Sequence, residues 1–239
     1  MKTKKNNLSL IIPCYNEADN LSSLIKILLE IQTDCHEIIL VNNGSTDNTS
    51  SKISGLINEH ESCIKVLDLK KNIGYGHGIM AGVKEASGQV IAWTHADLQT
   101  DPKDVIYAYK FYIKNGDYRN CILKGKRIGR NFFDNFFTVF MGIICSFVMK
   151  IKLSDVNAQP KMFHHSFRKF IKDAPNDFSL DLYVLIKAIT NNYTILEYPV
   201  NFGNRIFGSS KGGGTLFGKI KLILRTLSYI KRIRLKLKD

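Results

Sequence analysis

Two hydrophobic periods alternate along the first hundred residues, and this alternation constrains the fold more than any other feature of the chain. Short apolar runs are typical of strands that are buried on both faces, and they occupy residues 8–13, 37–41, 64–69 and 89–94. Apolar residues at helical spacing lie between them, from Leu21 to Leu29 and from Ile53 to Ile57. Strands and helices in this order imply right-handed crossovers. We therefore predict an α/β fold in which helices flank a central, mostly parallel sheet.

A polar cluster follows each of these apolar runs. In chain order the clusters read CYNE, NNGSTDNT, KNIGYGHG and HADLQTD. Ligands of open α/β sheets bind beyond the carboxyl ends of the strands. We therefore expect the four clusters to converge on one rim of the sheet and to form a binding site there.

The length and composition of the chain favour a single large domain. With 239 residues, of which 44% are hydrophobic, the chain can bury a sizeable core. Neither a long linker nor an internal repeat divides it, so we predict one domain over 1–217 and a tail over 218–239. Five cysteines without a CxxC pair indicate neither a disulfide framework nor a zinc site. These cysteines, and the lack of an apolar signal segment in MKTKKNN, predict a cytoplasmic protein.

Basic residues are concentrated in the tail. Residues 218–239 hold eight basic residues and one acidic residue, and so supply more than half of the formal net charge of +13. Ile220, Ile223, Leu224 and Leu227 repeat at helical spacing. A basic amphipathic helix can lie on anionic lipid headgroups, whereas the other interpretations are a solvated end and a nucleic-acid contact. We favour the anionic membrane surface and expect no nucleic-acid partner.

A second apolar stretch lies within 131–150, where the 14 residues from Phe136 to Met149 carry no charge. A membrane-spanning helix needs about 20 apolar residues, so this stretch is too short to span comfortably. A core helix and a helix in the membrane interface are the two interpretations. The phenylalanines near its start are the feature that fits the interface.

The apolar run 89–94 leads into the polar sequence HADLQTD. Asp97 and Gln99 lie two positions apart, so in an extended chain their side chains point to the same side. Hard cations such as Mg²⁺ and Mn²⁺ prefer oxygen ligands and are held by one or two carboxylates together with substrate phosphates. His95 is a third candidate ligand, of a kind that Mn²⁺ accepts better than Mg²⁺. The alternative for Asp97 is a turn or a helix cap before Pro102.

Glycines are frequent after the third apolar run and are found at positions 74, 76, 78 and 82. Tight turns are the first interpretation of this spacing, and a glycine-rich wall against a nucleotide or sugar is the second. A dinucleotide site comes third, because its fingerprint belongs after the first strand. We therefore do not expect an NAD-dependent oxidoreductase.

Taken together, these stretches resemble the family 2 glycosyltransferases, which have the GT-A fold, and especially their dolichol-phosphate mannose synthase-like, polyprenyl-phosphate branch. The matching stretches are IIPCYNE, VNNGSTDNT, NIGYGHGIMAGVKEASG, HADLQTDP, GKRIGR, SDVNAQPKMF and EYPVNFGNRIFGSSKGG. As an ordered set over residues 8–212 they are far more specific than any one of them. The resemblance implies a Rossmann-like fold of the nucleotide-diphospho-sugar transferases.

The resemblance also implies roles for individual residues. Those expected to contact the nucleotide sugar are Pro13, Tyr15, Glu17, Asn42, Asn43, Lys71, Gly74, Gly76, Ala96 and Asp97. A divalent cation, Mg²⁺ or Mn²⁺, is expected at Asp97 and Gln99, with His95 beside them. Residues expected to contact phosphates or the acceptor are Lys126, Arg127, Asp155, Arg205, Ser209 and Lys211. The expected catalytic residues are Asp97, Arg127, Asp181 and Arg205, and a helix cap or salt bridge is the alternative for Asp155 and Asp181.

The chain departs from the family pattern at two places. Asn42 and Asn43 stand where two aspartates are usual, and His95 stands where the first aspartate of an Asp-x-Asp motif is usual. An amide both donates and accepts hydrogen bonds, whereas an ionised carboxylate only accepts them. We therefore predict that Asn42 or Asn43 changes the base preference. Because one carboxylate of the metal motif is lost while Asp97 is kept, we also predict that metal binding is weakened but not abolished.

The resemblance implies an inverting, metal-dependent glycosyltransferase that moves a sugar from a nucleoside-diphosphate sugar to an acceptor. The expected acceptor is a polyprenyl phosphate, undecaprenyl or dolichyl, and the enzyme is expected to associate peripherally with the inner face of the membrane. The alternatives are transfer to a saccharide hydroxyl in cell-surface polysaccharide synthesis and a catalytically silent, membrane-associated nucleotide-binding scaffold. The sequence leaves the oligomeric state open.

Overall fold

A computed structural model describes residues 7–58, 63–115, 117–129 and 154–203. The strands in these ranges are β1 (Leu8–Cys14), β2 (Glu37–Asn43), β3 (Ile64–Leu69), β4 (Val90–Trp93), β5 (Cys121–Ile128), β6 (Lys161–His164) and β7 (Thr194–Asn201). The α-helices are α1 (Leu21–Ile31), α2 (Thr49–Asn58), α3 (Tyr75–Glu85), α4 (Lys103–Lys114) and α5 (Leu180–Thr190). The apolar stretch within 131–150 and the basic tail 218–239 lie outside the described residues.

The strands of the described ranges form one sheet in the order β3-β2-β1-β4-β6-β5-β7. Strands β3, β2, β1 and β4 are parallel, as are β5 and β7, whereas β6 runs antiparallel to both of its neighbours. The predicted mostly parallel sheet is therefore confirmed. One detail of the prediction is wrong, because β3 is an edge strand and Ile64 is its only buried residue. An edge strand needs fewer apolar side chains than a central one.

The core lies on both faces of the sheet, because successive residues of a strand point to opposite faces. On β1, Leu10 and Ile12 pack with apolar residues of α1 and α4. Ile11, between them, packs on the other face with residues of α3 and α5. Each fully buried side chain of this kind contributes about 1.5 to 3 kcal/mol. This two-sided burial fixes the register of the strands and with it the position of the residues that follow them.

Helix α3 begins at Tyr75, so three of the four glycines lie inside a helix and not in turns. The tight-turn interpretation holds for Gly74 alone, where φ is +138° and a Cβ atom would collide with the Asn176 carbonyl oxygen. A Cβ atom at Gly82 would come within 2.5 Å of Ile11. The glycines of α3 therefore let the helix approach the sheet closely.

At the end of the sheet opposite the polar clusters, Glu37 is buried in a hydrogen-bonded ion pair. Its carboxylate accepts hydrogen bonds from Ser9 Oγ at 2.6 Å and from Lys65 Nζ at 2.7 Å. The Ser87 backbone N–H and hydroxyl donate to the same carboxylate, each at 2.7 Å. Burial alone would raise the pKa of Glu37, but these donors lower it to about 2. The charge therefore joins β1, β2 and β3 at their amino ends.

We expect Glu37→Gln to destabilise the protein at pH 7 by about 2 to 3 kcal/mol, because several charge-assisted hydrogen bonds are lost. Since the pKa is lower in the folded protein, the stabilisation by Glu37 is complete above about pH 4.5 and is lost as the pH falls towards 2. Urea denaturation at several pH values measures both effects. The control is Glu85→Gln, at an exposed carboxylate. An equal loss of stability in the two variants would contradict the prediction.

Among the helices of the described ranges, none has both the length and the hydrophobicity needed to cross a membrane.

Candidate active site

The polar clusters that follow the first four strands meet at one rim, as the sequence predicts. The Asn16 backbone N–H donates to Ser45 Oγ at 3.1 Å, which joins the loop after β1 to the loop after β2. The Glu17 backbone N–H donates to Thr49 Oγ1 at 2.9 Å, at the start of α2. Of the residues expected to contact a nucleotide sugar in the first loop, Pro13, Tyr15 and Glu17 are half-buried at this rim.

Asn42 and Asn43, at the end of β2, both make hydrogen bonds within the protein. Asn42 Nδ2 donates to Asp68 Oδ1 at 2.8 Å, and Asn42 Oδ1 accepts from the Ser45 backbone N–H at 3.2 Å. An aspartate at position 42 would place two carboxylates in hydrogen-bonding contact, and like charges at that distance repel. Asn43 Nδ2 donates to the Gly74 carbonyl oxygen at 3.0 Å. Both amides therefore have a structural role, because each hydrogen-bonds a neighbouring loop or strand. Their effect on base preference stays a prediction.

Asp97 and Gln99 come together through a turn and not through strand alternation. Strand β4 ends at Trp93, and Leu98 adopts a left-handed backbone with φ of +57°. Asp97 Oδ1 accepts a hydrogen bond from the Gln99 backbone N–H at 3.2 Å. The chain is therefore not extended at this point, and that premise of the prediction is wrong. The alternative, that Asp97 forms a turn, holds for its Oδ1 atom. Asp97 is buried, with 6% of its surface exposed.

The last described residues of the chain lie against this turn. The Gly203 backbone N–H donates to the Gln99 carbonyl oxygen at 2.8 Å, and Gln99 Nε2 donates to the Gly203 carbonyl oxygen at 3.4 Å. This contact turns the Nε2 end of the Gln99 amide towards Gly203. Arg205, Ser209 and Lys211 follow in sequence but lie outside the described residues.

The side chains at this turn carry atoms of the kinds that can bind a hard divalent cation. They are a buried carboxylate at Asp97, an amide oxygen at Gln99, and a ring nitrogen at His95. Burial lowers the pKa of His95, which favours the neutral imidazole that binds metals. In the part of the chain that the structure describes, no group of three or more His, Cys, Asp and Glu residues is arranged to hold a metal. A cation here would therefore take its remaining ligands from a substrate, as Mg²⁺ commonly does from phosphates.

A second polar group, beneath the rim, surrounds the carboxylate of Asp181 at the start of α5. Lys161 Nζ lies 3.4 Å from Asp181 Oδ1, and Gln159 Nε2 donates to the same oxygen at 3.1 Å. The Tyr75 hydroxyl donates to Asp181 Oδ2 at 3.4 Å. Asp181 is 2% exposed and Lys161 is completely buried. Asp181 therefore forms the salt bridge that was the alternative to a catalytic role.

Lys161 is held by more than its ion pair. Its Nζ donates to the Val156 and Ala158 carbonyl oxygens, each at 2.7 Å. Burial lowers the pKa of Lys161 to about 8, although the charge of Asp181 opposes that effect. Sequence reasoning did not select Tyr75, Gln159 or Lys161. The available signal was the Gln-Pro-Lys sequence at the start of an otherwise apolar run at 159–163.

A third polar group pairs Arg127, near the end of β5, with Asp155. Arg127 Nη2 lies 2.7 Å from Asp155 Oδ1. Asp155 therefore also forms the salt bridge that was the alternative for this residue. Lys126, the next predicted phosphate contact, is exposed and lies 3.3 Å from the Glu197 carboxylate. Lys71 is exposed at the rim, and Ala96 is buried beside Asp97.

An open, mostly parallel sheet with a carboxylate, amides and cations at its carboxyl edge is the architecture of α/β proteins that bind nucleotides at that edge. Residues 9–174 match the model of the family described as Glycosyl transferase family 2. The match covers more than half of the chain, which therefore belongs to that family.

Curated relatives lie in the predicted polyprenyl-phosphate branch. An undecaprenyl-phosphate 4-deoxy-4-formamido-L-arabinose transferase of Yersinia enterocolitica is 39% identical over 107 residues, which are 44% of this chain and 32% of that protein. Its counterpart in Yersinia pestis is 37% identical over 101 residues, 41% of this chain and 31% of that protein. The aligned part of the chain thus spans about a third of the length of these relatives.

Solved structures share the fold at low sequence identity. Glucosyl-3-phosphoglycerate synthase from Mycobacterium tuberculosis, in complex with Mn²⁺, UDP and glucosyl-3-phosphoglycerate, has a TM-score of 0.71 at 14% identity, covering 94% of this chain and 80% of that one. A mannosyltransferase from Pyrobaculum calidifontis, in complex with GDP-mannose and Mn²⁺, has a TM-score of 0.64 at 18% identity, covering 89% of this chain and 59% of that one. These similarities confirm the predicted GT-A fold.

Proposed function

We propose that the protein transfers a sugar, with inversion, from a nucleoside-diphosphate sugar to a polyprenyl phosphate, with the help of Mg²⁺ or Mn²⁺. Three kinds of observation support the proposal. The family supplies the reaction class, the curated relatives supply the acceptor class, and two structural neighbours were crystallised with Mn²⁺ and a nucleotide or nucleotide sugar.

The observation that carries the choice of acceptor is the state of Asp181. A sugar hydroxyl must lose a proton to a general base as it attacks. Asp181 is the predicted carboxylate for that role, but Lys161, Gln159 and Tyr75 surround both of its oxygens. A phosphate acceptor is already ionised near neutral pH and needs no such base. The buried, paired Asp181 therefore favours a phosphate nucleophile over a saccharide hydroxyl.

The chain's own residues would manage the charge on the departing diphosphate. Asp97 and Gln99, with His95, would hold the cation, which would stabilise the negative charge that develops on the leaving group. Arg127, near the end of strand β5, would contact a phosphate. Arg205, Ser209 and Lys211 are proposed for the same phosphates on the basis of the family resemblance alone.

The basic tail and the stretch within 131–150 suit an enzyme that sits on the inner face of a membrane and reaches a lipid-linked acceptor. We propose peripheral association through the tail, since basic residues near an anionic surface contribute about 1 kcal/mol each. Sedimentation with anionic liposomes, before and after removal of 218–239, tests this part. Equal sedimentation of the two proteins would remove the tail from the proposal.

The test of the function is a transfer assay with the purified protein. We expect metal-dependent release of a nucleoside diphosphate, together with a glycolipid product, when undecaprenyl phosphate in detergent is supplied with a panel of nucleotide sugars. Omitting the lipid or adding a chelator should stop both. Transfer to a saccharide in place of the lipid would support the polysaccharide alternative. Nucleotide binding without any transfer would support the scaffold alternative.

A further inference from the structure

We propose that Asp155 is a positioning residue that orients the guanidinium of Arg127 towards a phosphate group at the rim. In this assignment Asp155 does not itself bind the sugar or the acceptor. The inference rests on the proposed function for the identity of the phosphate, but its geometry depends only on the described residues.

The contact between the two residues uses both carboxylate oxygens. Asp155 Oδ2 accepts from the Arg127 backbone N–H at 2.8 Å. Asp155 Oδ1 accepts from Arg127 Nε at 2.9 Å and lies 2.7 Å from Nη2. Each side chain is only 12% exposed. The carboxylate therefore grips the backbone and one edge of the guanidinium together, and Nη1 is the nitrogen that these contacts do not use.

A ring covers the guanidinium. The Cζ atom of Arg127 lies 5.0 Å from the centre of the Phe202 ring, a distance at which a cation and an aromatic face attract each other. The Phe202 backbone N–H donates to the Ile128 carbonyl oxygen at 3.3 Å, and Gly203 is bonded to Gln99. Arg127 is thus next to the segment that adjoins the turn of Asp97 and Gln99. A phosphate bound at that turn would lie on the same side of the site as the guanidinium.

The position of Asp155 does not depend on Arg127 alone. Lys161 Nζ donates to the carbonyl oxygens of Val156 and Ala158, two of the three residues that directly follow Asp155. On the other side, Ser154 Oγ donates to the Glu197 carboxylate at 2.6 Å. The carboxylate is therefore fixed by its own loop and can act as the support on which the flexible arginine is oriented.

The chemistry favours an anionic ligand for the oriented arginine. A guanidinium stays charged at every physiological pH and presents N–H groups in a fixed plane that matches phosphate geometry. Without Asp155 the side chain would lose rotamer freedom each time it bound a phosphate. With Asp155 that cost is met in advance, so binding is tighter. A neutral sugar hydroxyl would gain little from such preparation.

The experiment compares Asp155→Ala, Asp155→Asn, Arg127→Ala and the double variant Asp155→Ala/Arg127→Ala. Binding of inorganic pyrophosphate and of decyl phosphate is measured by calorimetry on the full chain, beside the transfer assay. We expect Arg127→Ala to weaken phosphate binding about 10- to 100-fold, the value of one charge-assisted contact. Asp155→Ala should weaken it less, and the double variant should be no weaker than Arg127→Ala. Asp173→Asn, at an exposed carboxylate, is the control.

A second readout separates positioning from a merely structural role. Free guanidinium, at concentrations that do not denature the protein, should restore part of the binding to Arg127→Ala. It should fail to do so in the double variant, because the carboxylate that would hold it is gone. Losses that multiply in the double variant, or rescue that does not need Asp155, would overturn the inference. So would a wild-type protein that binds neither probe, whereas probe binding without sugar transfer would refute the proposed function alone.

Discussion

Asp97→Asn is expected to reduce kcat for sugar transfer by about 10²- to 10³-fold, the effect of removing one preorganised group that stabilises charge in the transition state. The asparagine retains an oxygen that can accept the Gln99 backbone N–H, so the turn after β4 is preserved. What is lost is the negative charge that would attract the proposed divalent cation. The measurement is the initial rate of nucleoside diphosphate release over a range of Mn²⁺ concentrations.

The matched control is Asp101→Asn, four residues along the chain. Asp101 is exposed, and its Oδ1 likewise accepts a backbone N–H, that of Lys103, at 2.9 Å. We expect this variant to keep the wild-type rate and the wild-type dependence on Mn²⁺. If the two variants lose activity equally, the effect comes from general charge at the rim and Asp97 is not the metal ligand.

Lys161→Met is expected to destabilise the folded protein by about 3 to 5 kcal/mol, the cost of leaving a buried charge without its partner. The substitution removes the cation beside Asp181 and also leaves the Val156 and Ala158 carbonyl oxygens without their donor. Methionine has a similar volume, so the loss reflects charge and hydrogen bonding and not a cavity. Urea denaturation followed by circular dichroism measures the free energy of unfolding.

Two comparisons make the second prediction specific. Lys103→Met breaks an exposed ion pair with Glu30, and such pairs contribute little to stability because solvent screens them. The double variant Lys161→Met/Asp181→Asn should recover part of the lost stability, since no buried charge is then left unpaired. A double variant as unstable as the sum of its parts would show that Lys161 acts through the carbonyl oxygens alone.

The two asparagines at the end of β2 show how an unusual residue can have a structural cause. From the sequence, Asn42 and Asn43 predict a changed preference among nucleotide bases. In the structure, Asn42 supplies the donor that Asp68 needs, and Asn43 supplies the donor for the carbonyl oxygen before α3. A carboxylate at position 42 would therefore face the carboxylate of Asp68. The sequence offered no sign of this pairing, because it depends on the register of β2 against β3.

The second half of the fold was harder to predict because its strands carry charge. Lys124 lies in the middle of β5 and would ordinarily argue against a buried strand. It is 2% exposed, and its Nζ lies 2.9 Å from the carboxylate of Glu197 on the adjacent strand β7. The charge of Lys124 could not be buried without such a partner. Hydrophobic periodicity along one segment does not reveal such a pair.

The sequence by itself determined the α/β alternation, the first four strands, the polar rim and the position of Asp97 and Gln99 within it. These features follow from side-chain periods that the local backbone geometry imposes. Only the tertiary structure decided that β6 lies between β4 and β5, that Lys161 meets Asp181, and that Asp155 grips Arg127. Those contacts join residues that are distant in the chain, and strand order, which no local pattern encodes, brings them together.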